Sequence, residues 1–505
     1  MTLFIKMYTD TVISKINSLF TNINIIQKQT SNLVSRNVNV HIHHVFKYLL
    51  KYSQKNITKK SIVSDLNFDD NINITPSAMY SKEKHITLEF CKYMSQQLYS
   101  ILNDMYISHP IMKNIEQKIN SSHISFNGIN NYVFIGVDAT CSNKYKNHEL
   151  ITDNTIYLVD LNKKIPIIFE NTIQTYFQNN KNNKSNKNHE VKTLVNYLHK
   201  HYNELKDMFK NQTIVLVCDR AYHSMELFDL CIKYDIKFVI RVKDNCKIFN
   251  NDKAKDTKTL WYRNNNMIRK ITKVHMLEET VELENNKFIK TNIPIECNII
   301  SNLENKGIFT DDVIGNIYMA RWNIEIFFKN SKNTTKLAFS PTKNNESYEK
   351  QKYLNFIVTY LAKIIIFVYY INKYKNNEIN ILTEPNDQYV NYSNVIYGIY
   401  KKLIDVLCDG KLDEKIMNKF IKVYVSSIIS KKNRKFPRKG MIPGSKWYIK
   451  KYSDTAASKK IYNAILTNTI NELNKNLKSM ANKYINMGIK YNITIITIIS
   501  EKYNK

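Results

Sequence analysis

The chain has 505 residues, with 74 Lys and Arg against 44 Asp and Glu, a formal net charge of +30 and a pI of about 9.5. That length supports a large buried core and two to four domains, and the cationic surplus favours a polyanionic partner, most simply nucleic acid. The seven cysteines are odd in number and scattered, without a Cys-x2-Cys pair, which argues against a disulfide frame or a zinc site and for reduced thiols.

Part of the lysine surplus is compositional, because a chain loaded with Asn, Ile, Lys and Tyr and holding only 9 Gly and 8 Pro is what AT-rich coding produces. The N-terminus lacks a charged stretch followed by an apolar run and a small-residue cleavage site, so an intracellular, non-secreted protein is expected. Residues 1–125 read as a basic helical region, with helical apolar spacing in VFKYLLKYS and in LEFCKYMSQQLYSILNDMY. Thr75 before Pro76 is a helix-start signal, and it follows the turn-rich DLNFDDNIN. Both a helix-turn-helix and an ordinary helical bundle fit this pattern. His41, His43 and His44 have no Cys or acidic partner at ligand spacing, so no metal role is assigned to them.

From about residue 130 short apolar strands take over: Tyr132 to Asp138, Thr155 to Asp160 and Ile165 to Glu170. A helix through VKTLVNYLHKHYNEL, a buried strand from Thr213 to Asp219, a helix from His223 to about Tyr234 and a strand from Ile236 to Val242 follow. Three strands followed by alternating helices and strands predict a mixed α/β sheet. Residues 246–308 read as a β-rich insertion. Tyr353 to Ile371 is long and apolar enough to pass for a membrane span, but Lys363, Asn355 and Thr359 inside it favour a buried core helix, with no membrane partner expected. After residue 378 the chain is basic and helical, and 431–452 is a cationic loop with Phe436, Trp447 and Tyr448 interleaved. Such a loop is either a solvated face or a contact to a nucleic-acid backbone.

The acids with chemical potential are Asp138 and Asp219, each ending an apolar strand, where ligand sites of α/β sheets gather. If the first and fourth strands are parallel neighbours, the two carboxylates converge, and hard oxygen donors in that position favour Mg²⁺ or Mn²⁺. A third acid lies in YMARWNIEIFFKNSK, where Tyr318, Arg321, Glu325 and Lys332 are spaced as Tyr-x2-Arg-x3-Glu-x6-Lys. On one helix at about 100° per residue, these four fall within about 60° of one another, beside an apolar stripe of Ile317, Ala320, Ile324, Phe327 and Phe328. The face reads either as a carboxylate among phosphate-gripping cations or as a solvated surface with Arg321–Glu325 or Glu325–Lys329 pairs.

Asp138-Ala139-Thr140, Asp219-Arg220-Ala221-Tyr222, the strand text FVIRVK and the Tyr318/Arg321/Glu325/Lys332 signature together resemble DDE transposases of the insertion-sequence-4 type, in that family's order, over roughly residues 130–375. The resemblance implies a ribonuclease H-like mixed five-stranded sheet with flanking helices, a catalytic domain at 126–378 carrying the β-rich insertion 246–308, and helical regions at 1–125 and 379–505. It implies that Asp138, Asp219 and Glu325 hold two divalent ions, Mg²⁺ or Mn²⁺, while Tyr318, Arg321 and Lys332 grip phosphates. Arg220, Lys329, Lys336, Arg434 and Arg438 join them as expected DNA contacts, and Trp261 is placed either on an unpaired end base or in the core. The expected activity is end cleavage and strand transfer on double-stranded DNA bearing terminal inverted repeats, by a homodimer located wherever the DNA is. A nuclease of the same fold and a domesticated, non-cutting DNA-binding protein are the alternatives.

Overall fold

The computed structural model describes residues 2–23, 25–26, 40–70, 72–108, 124, 131–146, 149–171, 189–209, 212–242, 258–263, 266–284, 287–304, 307–340, 345–375, 389–426 and 429–430. Contacts divide the chain into two compact units, 1–275 with 296–434, and 276–295 with 435–505. Of the second unit, only strand backbone within 276–284 and 287–295 is described. Everything below concerns the first. The loop at 431–452, with Arg434 and Arg438, lies outside the described residues.

Five helices come first: α1 (Thr2–Thr21), α2 (Ile42–Tyr52), α3 (Lys59–Asp69), α4 (Pro76–Lys82) and α5 (Leu88–Ser108). Thr75 caps α4 as its sequence signals, its hydroxyl accepting from the Ala78 N–H at 3.2 Å. The turn expected over DLNFDDNIN is shorter than that, because α3 runs through Asp69; Ile62, Val63 and Leu66 are buried, and that burial extends the helix past its turn-forming residues.

The sheet follows as β1 (Tyr132–Lys146), β2 (Glu149–Asp160), β3 (Ile165–Asn171), helix α6 (His189–Met208), β4 (Thr213–Cys218), helix α7 (Met225–Lys233) and β5 (Lys237–Val242). The strand order is β3-β2-β1-β4-β5. β2 is antiparallel to both of its neighbours, whereas β1–β4 and β4–β5 are parallel. This mixed α/β arrangement is ribonuclease H-like. Strands β6 (Lys258–Arg263), β7 (Asn266–Glu284) and β8 (Lys287–Ser301) of the insertion prolong the same sheet, with Ser301 to Asn298 of β8 pairing antiparallel to Val239 to Val242 of β5. Instead of standing apart as a subdomain, the insertion covers what would be an open strand edge.

Helices α8 (Asp311–Met319) and α9 (Trp322–Thr334), the short strand β9 (Phe339–Ser340) and helix α10 (Asn345–Lys375) come next. One face of the sheet meets α9 and α10 through aromatic packing. Tyr157 lies edge-on to Phe328 at 5.5 Å, and Phe169 meets Tyr353 at 4.9 Å and Phe356 at 5.7 Å. The apolar segment of α10 is a core helix, 94% buried over its most hydrophobic window, and the Tyr360 hydroxyl donates to the Pro166 carbonyl at 2.7 Å.

After α10, helix α11 (Tyr392–Gly398) runs into a π-helical turn at Ile399–Leu403 and then α12 (Ile404–Cys408), and α13 (Glu414–Phe420) leads into a second π turn at Ile421–Val425. Gly398 lets these segments cross closely. A Cβ there would stand 2.5 Å from Tyr424 Cγ and 2.9 Å from Phe420 Cζ. Gly398→Ala is expected to lower stability by about 1–3 kcal/mol through overpacking, read by chemical denaturation.

Buried Lys47 ties these C-terminal helices to the N-terminal ones. It reaches Asp70 at 2.9 Å, Asp405 at 3.3 Å and Asp409 at 3.4 Å. His44 nearby is pushed down to about 4, by burial first and then by His43. The unfolded chain takes up that proton near the ordinary value of 6.5, while the folded chain resists until about 4. Stability therefore falls as pH drops through this window. His44→Gln is expected to flatten that part of a melting-temperature profile against pH.

Candidate active site

The last parallel pair between β1 and β4 is Val137 with Cys218. Asp138 and Asp219 are the next residues on the two strands, so they leave adjacent strand ends at one level. Hydrogen-bonded neighbours lie about 4.8 Å apart. β1 continues past β4, pairing with β9 at Asn143 and Lys144, and the acids sit at the gap between these two partners. Asp138 Oδ1 accepts from the Ala139 N–H at 2.8 Å, and Asp219 Oδ1 accepts from the Ala221 N–H at 2.7 Å. Those bonds orient each carboxylate from its own backbone. Two residues before Asp138, a Cβ on Gly136 would stand 2.5 Å from Leu161 Cδ2, so the β2–β3 turn packs directly onto β1.

The signature helix differs from its sequence reading. The segment is two helices, not one: α8 ends at Met319, α9 begins at Trp322, and Ala320–Arg321 form a turn. Arg321 N–H bonds to Tyr318 O, Asn323 N–H to Ala320 O and Ile324 N–H to Arg321 O, each spanning three residues instead of four. This tighter winding is the 3₁₀ form. A buried bond from Asn323 Nδ2 to Leu161 O at 2.9 Å holds the start of α9 on the β2–β3 turn. The expected apolar stripe is buried throughout, from Ile317 to Phe328.

Arg321 joins the acids. Its Nη1 is 3.4 Å from Asp138 Oδ2 and its Nη2 is 2.9 Å from Glu325 Oε1. The i,i+4 pair read as the bland alternative is thus present, but the guanidinium is only 13% exposed and also faces a strand-end acid. Burial works against the Arg321 charge, and Tyr318, Asp138 and Glu325 outweigh it, so its pKa is raised. Asp138 is pushed up to about 7, by burial first; Arg321 opposes that rise, and Asp219 and Glu325 add to it. Tyr318 is buried, with Arg321 Cζ 6.0 Å from its ring centroid. Its hydroxyl is pushed up to about 12 by burial, which Arg321 and Arg241 oppose and Asp219 reinforces.

The other expected contacts divide. Arg220 and Lys329 are exposed. Lys332 is half-buried, with its ammonium 5.8 Å from the Phe328 ring centroid. Lys336 is turned inward, 8% exposed, donating to Ile57 O at 3.1 Å and resting on the Tyr52 ring; burial, then Lys59, pushes it down to about 7. Trp261 lies in β6, and its side chain is outside the described set. Trp322 does not wedge α9 against the sheet; it is 50% exposed beside Arg321. Sequence reasoning missed Glu190, in the first turn of α6 and electrostatically coupled to Asp219. No motif marked it. It also missed Asn323 and Leu161, whose contact joins residues 162 positions apart.

The donor chemistry fits hard divalent cations: three carboxylates, with Asp138 held above the usual carboxylate range in part by the other two acids. Asp138 keeps 23% and Glu325 37% of their side-chain surface open. Among the described residues, however, no three His, Cys, Asp or Glu side chains form a ready-made metal cage. Arg321 stands between Asp138 and Glu325 as the counter-charge. The family model for the transposase DDE domain matches residues 175–361. That segment contains Asp219 and the whole Tyr318–Lys332 signature, and Asp138 is tied to it by the β1–β4 pairing and by Arg321. A solved piggyBac transposase, in a synaptic complex with hairpin DNA, is similar to the chain at 10% identity and a TM-score of 0.34, with 83% of each chain covered. No curated protein matches the chain in sequence.

Proposed function

We propose that the chain is a DDE transposase that binds the ends of a mobile element, cleaves them and joins the freed 3′-OH to target DNA. The reading is carried by the meeting of Asp138, Asp219 and the Arg321-tied Glu325 at the carboxyl ends of β1 and β4, within reach of the segment matched by the transposase DDE domain model. The net charge of +30 agrees with a DNA partner. Bound Mg²⁺ or Mn²⁺ would supply activation of the attacking oxygen and stabilisation of the leaving one. Asp138, Asp219 and Glu325 would hold those ions. Tyr318 packs behind Arg321, and Arg321 spreads positive charge over the site, where it stabilises a phosphate as negative charge builds on it. The exposed Arg220 and Lys329 flank this region and suit DNA-backbone contacts. Two ends must be brought together before joining, which favours a homodimer, working inside the cell wherever the DNA is.

The test uses the full chain, labelled DNA carrying the inverted ends that flank its gene, and Mg²⁺ or Mn²⁺. End cleavage followed by joining to a second DNA is expected, with both steps lost on adding a chelator. Cleavage without joining would assign a nuclease of the same fold, and binding without cleavage a non-catalytic DNA-binding protein.

A further inference from the structure

Glu190 lies in the first turn of α6, and this helix packs against the 3₁₀ turn Arg220–Tyr222 that immediately follows Asp219. Burial, followed by the nearby Asp219 charge, raises the Glu190 carboxyl above its ordinary range. Among the described residues no Lys or Arg is paired with Glu190, whereas Arg321 serves Asp138 and Glu325 on the other side. The positive charge of the site is therefore one-sided.

Tyr222 supplies an independent observation. Its side chain is fully buried, and its hydroxyl has no hydrogen-bond partner. Burial first, then Glu190, Asp138 and Asp219 among its neighbours, keep that hydroxyl protonated. A buried O–H donor without an acceptor is rare in a native protein and marks a place where water or an ion-bound ligand completes the structure. Here the donor faces the side of the site that lacks a cation.

We propose that Glu190 is a fourth acid of this site, a positioning residue that acts with Asp219 in holding a divalent cation, while the Tyr222 hydroxyl donates to water accompanying that ion. The inference rests on the metal-dependent reading above. Glu190 adds negative charge on the face that Arg321 does not reach, and a cation drawn there relieves its repulsion with Asp219. Tyr222 then gains the acceptor it lacks.

Mn²⁺ alone is the probe, titrated into the full-length protein and followed by the electron paramagnetic resonance signal of free Mn²⁺. Glu190→Gln is expected to weaken Mn²⁺ binding about tenfold, the loss typical of residues supporting a metal site. Tyr222→Phe, which deletes only the hydroxyl, is expected to weaken it severalfold. The metal-free Glu190→Gln protein should also melt higher than wild type, because a like-charge repulsion is gone, and its Mn²⁺-induced rise in Tm should shrink. A merely structural role would lower the metal-free Tm and leave Mn²⁺ affinity in place. Wild-type Mn²⁺ affinity in Glu190→Gln, with affinity lost in Asp219→Asn, would overturn the role of Glu190 and leave the transposase reading standing. If the wild-type protein binds no Mn²⁺, both fall together.

Discussion

Replacing Glu325 by alanine is expected to lower DNA-end cleavage by roughly 10³-fold, about 4 kcal/mol of transition-state stabilisation, while DNA binding without metal is retained. Glu325 is the most open acid of the three, 37% exposed, and its carboxylate faces Arg321 from the first turn of α9. Its removal takes away one hard oxygen donor and the second partner of Arg321, yet the Arg321–Asp138 contact remains. Loss of folding stability should accordingly be small, within about 1 kcal/mol, as for a half-exposed ion pair. Single-turnover cleavage, gel-shift binding and a melting curve on the same preparation separate these effects. Cleavage at the wild-type rate would remove Glu325 from the active site.

Arg321→Met should act on both stability and chemistry. The methionine keeps much of the apolar stem against Tyr318 but leaves Asp138 and Glu325 without their shared counter-charge. Removing one partner of a buried ion pair strands the other, at a cost of about 3 kcal/mol. Added Mn²⁺ should then raise the melting temperature of Arg321→Met more than that of wild type, because the ion replaces the missing positive charge. Cleavage should fall even with Mn²⁺ present, since no guanidinium remains to meet the phosphate. Equal Mn²⁺-induced shifts in the two proteins would show that Arg321 is not the charge that balances these acids.

The parts of the site differ in how legible they were. Asp138 and Asp219 were visible because each ends a run of apolar residues, and a buried strand that emerges on an acid is a local pattern. Their convergence needed one further fact, the parallel pairing of β1 with β4, which joins residues about 80 positions apart. The stripe from Ile317 to Phe328 was read correctly from its period, because the same face is buried in one helix or two. The break at Ala320–Arg321 escaped that reading. It comes with 3₁₀-type bonds and with the hold of Leu161 O on Asn323, and helical periodicity carries no trace of a distant carbonyl. Lys336 shows the same limit on a surface prediction. Its charge suggested DNA, but the fold lays it over Tyr52 against Ile57.

By itself, the sequence determined the order of helices and strands, the cationic character and the three acids with their neighbouring cations. These are written in local apolar spacing and residue type, which act over a few positions. Tertiary structure decided that the insertion extends the sheet at β5, that Arg321 joins Asp138 to Glu325, and that Glu190 and the unpartnered Tyr222 hydroxyl stand beside Asp219. Each of those follows from strand pairing or helix packing between distant segments, and burial then sets the electrostatics that give the assembled acids their chemistry.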